Sequence, residues 1–115
     1  IYPNPGFPIY ESMIKFVGGT PVPIKLEESM GFAFNIDNFK KLISPKTKMV
    51  IINTPQNPTG GILNETEIRQ IAEILKDRPD IWILSDEIYS RTNSGDFRRR
   101  NCWESSGGSF SIVQN

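Results

Sequence analysis

The 115-residue sequence contains no histidine. That removes imidazole from any mechanism built on these residues: no His-ligated metal, no Ser–His or Cys–His nucleophile pair. No metal site is expected. Cysteine occurs once, at Cys102, which excludes an internal disulfide framework and fits a reducing, cytoplasmic setting. An excess of either charge is lacking as well. Thirteen basic and 13 acidic residues cancel to a net charge of zero, so nucleic acid and anionic membrane are poor partners. No apolar run approaches the about 20 residues of a membrane span. No lysine follows Lys76, and the first residue is Ile1 rather than Met.

What is present reads as an alternating α/β pattern, in a length sufficient for one small domain. Residues 1–10 are rich in Pro and Gly and read as an irregular loop. Tyr10 to Val17 can form a helix, with Tyr10, Ile14 and Val17 on one face and Gly18-Gly19 ending it. Val22 to Leu26 is a strand candidate that Pro21 and Pro23 push to an edge. Asp37 is placed to cap a helix from Asn38 to Ile43, which Ser44-Pro45 stops.

The densest signal lies between Met49 and Tyr89. Two apolar runs, Met49-Val50-Ile51-Ile52 and Ile81-Trp82-Ile83-Leu84, flank an amphipathic segment from Ile62 to Lys76. Asn64 and Glu67 have the spacing of a capping box, and Ile68, Ile71, Ala72 and Leu75 follow the helical period. Strand, helix, strand in that order predicts a parallel pair with a crossover. The second run is apolar on both faces, as a strand covered on both sides would be. Both loops that follow the strands then lie at the same end of the sheet, where ligands bind in open α/β folds. Asn57, Asp86 and Tyr89 are therefore expected near one another. From Thr92 onward no helical or strand period is seen, and the tail 92–115 is expected to be divergent or poorly structured.

The two loops read N-T-P-Q-N-P-T-G-G (Asn53 to Gly61) and S-D-E-I-Y (Ser85 to Tyr89). In this order and spacing they resemble the fold type I aminotransferases that use pyridoxal 5'-phosphate (PLP), the aspartate aminotransferase-like class I/II group. The resemblance covers residues 1–91. It implies an α/β fold: part of a large PLP-binding domain, with a mainly parallel sheet flanked by helices. It also implies transfer of an amino group between an amino acid and a 2-oxo acid, in a homodimer. The family's subunit is several times longer, so the chain is expected to be an internal fragment.

Residue by residue, the resemblance assigns four cofactor-binding positions. Asp86 matches the carboxylate that keeps the pyridine nitrogen protonated, so that the ring can act as an electron sink. Asn57 offers an amide N–H and Tyr89 a hydroxyl to the cofactor's phenolic oxygen. Phe7, in P-N-P-G-F-P-I-Y, matches the aromatic that covers the ring face. Tyr10, Ser85, Glu87 and Ser90 are motif neighbours with no argued role. No catalytic residue is assigned, because the lysine that forms the Schiff base is absent after Lys76. The same ring-binding motifs serve β-lyases and cyclopropane-forming (ACC-synthase-like) enzymes. A non-catalytic truncated product is the further alternative.

Overall fold

A computed structural model describes residues 1–86 and the backbone of residues 110–114. In chain order the elements are β1 (Tyr2–Asn4), α1 (Ile9–Phe16), β2 (Pro23–Lys25), α2 (Ile36–Leu42), β3 (Met49–Asn53), α3 (Glu65–Leu75), β4 (Trp82–Asp86) and β5 (Phe110–Gln114). A 3₁₀ turn over Glu28–Met30 lies between β2 and α2.

β3 and β4 are parallel, in a register that runs from Met49 opposite Trp82 to Asn53 opposite Asp86. α3 is the crossover between them. Its capping box is made in full: the Asn64 side chain accepts from the Glu67 N–H, and the Glu67 carboxylate accepts from the Asn64 N–H. Side-chain alternation along β3 sends Val50 and Ile52 to one face, where they pack with Phe39 of α2, Ile71 and Leu75 of α3, and Ile81. Ile51 goes to the other face and meets Tyr2 and Tyr10. β4 divides the same way, with Ile83 against the first cluster and Leu84 against the second. The sheet is thus covered on both sides, as the doubly apolar run predicts. Phe39, Ile24, Ile71, Leu75, Ile81 and Val50 are fully buried. Each contributes on the order of 1.5–3 kcal/mol by leaving water.

Several local expectations are corrected. Residues 2–4 form a strand rather than a loop, parallel to β2. Its edge is held by hydrogen bonds that no local pattern encodes: Tyr2 N–H to Val22 O at 3.0 Å, and Ile51 N–H to Ile1 O at 2.9 Å. α2 starts earlier than expected and is capped by Asn35, whose Oδ1 accepts from the Asn38 N–H at 2.8 Å, and not by Asp37. On α3, Ala72 is exposed and Ile74 packs toward the core instead. In the tail, Phe110–Gln114 is a strand, antiparallel to β4 at the edge of the sheet. Phe, Ile and Val within that run suit a pleated, half-covered surface, and β4 supplies the register. The rest of the tail lies outside the described residues. No helix among the described residues is long and apolar enough to cross a membrane.

Candidate functional site

Asp86 is the last residue of β4 and is 2% exposed. The first turn of α1 presents Tyr10 to it across the second core cluster. The Tyr10 hydroxyl donates to Asp86 Oδ2 at 2.5 Å. Burial, then this hydrogen bond, then the carboxylate's charge hold the Tyr10 phenol well above its ordinary value. Tyr10 therefore stays neutral and stays a donor, and it fixes one oxygen of a buried carboxylate.

The parallel register sets Asn53 beside Asp86, and Asn53 is itself buried. Its Nδ2 donates to the Asp86 carbonyl at 3.1 Å, and its Oδ1 accepts from the Asn57 N–H at 2.7 Å. One side chain thus ties the end of β4 to the start of the Asn57 turn. The Asn57 carbonyl accepts from Gln56 Nε2 at 3.0 Å. The Asn57 side-chain amide makes no hydrogen bond among the described residues, so its donors remain available to a ligand.

Phe7 lies just before α1 and is 42% exposed. Its ring meets Tyr10 edge-on, with centroids 6.0 Å apart and planes at 81°. Gly6, just before it, cannot carry a side chain, because a Cβ would lie 2.2 Å from the Pro3 carbonyl oxygen. A cavity of about 330 Å³ opens beside Phe7, lined by Tyr2, Asn4, Glu11, Ser12 and Lys15 among others. Asp86 and Asn57 do not line it. Within the described residues a chain of contacts links Phe7, Asp86 and Asn57. It runs from Phe7 to Tyr10 to Asp86, and from Asp86 through Asn53 to Asn57. Tyr89, with Glu87 and Ser90, lies outside the described residues.

Three residues in this arrangement had no role in the sequence reading: Tyr10, Asn53 and Gln56. A signal existed for Asn53, because two parallel strands that end together put their last residues side by side. Tyr10 is 76 positions from Asp86 and had no such signal.

Comparison with known proteins relates the chain to one group. The family model for aminotransferase class I and II matches residues 1–113. A probable aspartate/prephenate aminotransferase of Aquifex aeolicus is 38% identical over 96 residues, 84% of this chain and 24% of the relative. An aspartate aminotransferase of Sulfurisphaera tokodaii is 41% identical over 88 residues, 75% of this chain and 22% of the relative. The solved aromatic aminotransferase from Pyrococcus horikoshii superimposes with a TM-score of 0.74 at 34% identity, covering 87% of this chain and 26% of its own. The chain spans about a quarter of the length of the relatives it matches.

Proposed function

The chain belongs to the class I and II aminotransferases, and from that premise we propose that it forms the cofactor-holding part of a PLP-dependent transaminase. Residues 1–91 are proposed as part of the large domain, with β5 at the far end of the tail returning to the same sheet. The observation that carries the reading is the buried Asp86 carboxylate at the C-terminal end of a parallel strand pair, with the available Asn57 amide on the adjoining loop.

These side chains would suit PLP. A flat ring with one basic nitrogen and one acidic oxygen needs a carboxylate at the nitrogen, donors at the oxygen and an apolar plate on a face. Bound PLP supplies an electron sink for the electron pair left at the substrate Cα. Asp86 would hold the proton on the ring nitrogen, because a buried anion favours the charged pyridinium. Tyr10 orients that carboxylate and excludes water from it. The Asn57 amide and the Tyr89 hydroxyl would donate to the phenolic oxygen, and Phe7 would cover the ring. No lysine follows Lys76, so the amine that anchors the cofactor and moves the Cα proton is proposed to lie outside these residues.

The substrates are proposed to be an amino acid and a 2-oxo acid, handled by a homodimer in the cytoplasm. The β-lyase and ACC-synthase-like readings share the ring-binding residues and differ in the fate of the amino group. A full-length polypeptide carrying this sequence, given PLP, a ¹⁵N-labelled amino acid and a 2-oxo acid, separates them. Label on the carbon skeleton supplied by the 2-oxo acid is expected, whereas an ACC-synthase-like reaction would leave the label on the original Cα. Label released only as ammonia would replace transfer with elimination, and an absence of PLP uptake would remove the reading.

A further inference from the structure

One side chain stitches the loop after β3 to the loop before α1. Gln56 is 5% exposed. Its Nε2 donates to the Pro5 carbonyl at 2.6 Å, 51 positions away in sequence, and to the Asn57 carbonyl at 3.0 Å. Its Oε1 accepts from the Thr59 N–H at 3.1 Å and from the Thr59 hydroxyl. The Gln56 backbone closes the same turn, with its N–H on Gly61 O at 2.8 Å and its carbonyl receiving the Gly60 N–H at 2.7 Å. Two donors and two acceptor sites exhaust what an amide side chain can offer.

The consequence is geometric. Pro5 leads directly into Gly6 and Phe7, and the Asn57 carbonyl belongs to the residue whose amide is available for a ligand. We propose that Gln56 is a positioning residue that holds the Pro5-Gly6-Phe7 segment against the Asn57 turn, and so sets how the Phe7 ring and the Asn57 amide are presented to a flat aromatic cofactor. This rests on the reading of the site as a PLP site. Only an amide places two donors on one atom and two acceptor sites on its neighbour. In Gln56→Glu, a carboxylate oxygen would face two carbonyl oxygens. In Gln56→Met, the bulk stays, but the Pro5 carbonyl and the Thr59 N–H both lose their side-chain partner.

The test compares both variants with the wild type in a full-length polypeptide carrying this sequence. The first readout needs no cofactor. Hydrogen exchange at Thr59 is expected to speed up in Gln56→Met, which has no acceptor for its N–H, while the amides of Ile71 to Leu75 in α3 keep wild-type protection in both variants. The second readout is the pH titration of visible absorbance with PLP bound. A loosened Asn57 amide stabilises the phenolate less, so the titration is expected to move to higher pH. PLP dissociation constants are expected to rise about tenfold in Gln56→Met at neutral pH, and further in Gln56→Glu. Lowering the pH protonates Glu and returns one donor, so Gln56→Glu recovers affinity and Gln56→Met does not. Wild-type exchange in Gln56→Met and wild-type titration in both variants would overturn the proposal. Loss of α3 protection in both would also overturn it, by making Gln56 a general structural residue. PLP uptake with unchanged variants removes only the role of Gln56, whereas a wild-type polypeptide that takes up no PLP removes the reading beneath it.

Discussion

Replacing Tyr10 by Phe deletes one hydroxyl and leaves the ring in place. The ring keeps its edge contact with Phe7 and its packing on Ile51 and Tyr2. What is lost is the 2.5 Å hydrogen bond to Asp86 Oδ2 in a buried setting. A hydrogen bond to a charged group contributes about 1.5–3 kcal/mol to stability, and that is the expected loss at pH 7. The pH dependence carries a second signature. In the folded chain the Tyr10 phenol is raised above its ordinary value of 10.0, first by burial and then by Asp86. Above that value the unfolded chain releases this proton and the folded chain keeps it. Stability from this site is therefore complete below pH 10.0 and declines as the pH rises further. Phe has no proton to release, so the gap between wild type and variant narrows above pH 10.0. Tyr2 is also raised, by burial and by its bond to Glu11, but it is present in both wild type and Tyr10→Phe, so its contribution cancels from the gap between them. Urea unfolding followed by tryptophan fluorescence at pH 7 and above pH 10 measures both effects. An unchanged midpoint at pH 7, or a gap that stays constant as the pH rises, would refute the reasoning.

Asn53→Leu removes the bridge between Asp86 and Asn57. The Asp86 carbonyl keeps the Thr54 N–H at 3.4 Å, but the Asn57 N–H loses its acceptor. A loss of about 1–3 kcal/mol is expected in urea unfolding, together with weaker PLP binding. A variant with wild-type values for both would show the bridge to be idle. Asn64→Ala opens the capping box of α3 and is expected to lower stability by about 1 kcal/mol. That loss is to be read from the thermal midpoint, with Thr66→Ala in the same helix as the comparison. An equal change in both variants would deny the cap a special role.

The parallel pair and its crossover were legible because independent signals agreed there. Apolar runs of strand length flanked a helical period, and a capping box marked the helix start. β1 was hidden because Pro3, Pro5 and Gly6 dominate a segment whose strand character comes from partners far along the chain. β5 was hidden because the Ser- and Gly-rich stretch before it carries no period, and its pairing is supplied by β4. The placement of Asp86 and Asn57 followed from topology. Their immediate environment did not, since Tyr10 reaches Asp86 from another layer of the fold and Gln56 reaches Pro5 from another loop. Side-chain bonds between distant segments leave no trace in local spacing. The cap of α2 shows the same limit at short range, because Asn35 and Asp37 are both competent caps and only the backbone path selects Asn35.

The central claim is that the Asp86 carboxylate holds the proton on the cofactor's ring nitrogen. The most direct measurement is kcat for amino transfer by Asp86→Ala in a full-length polypeptide carrying this sequence, at PLP occupancy confirmed by absorbance. Charge stabilisation lost from a buried site is expected to lower kcat by at least about a hundredfold, with the cofactor still bound. A fully occupied Asp86→Ala polypeptide that turns over at the wild-type rate would contradict the account.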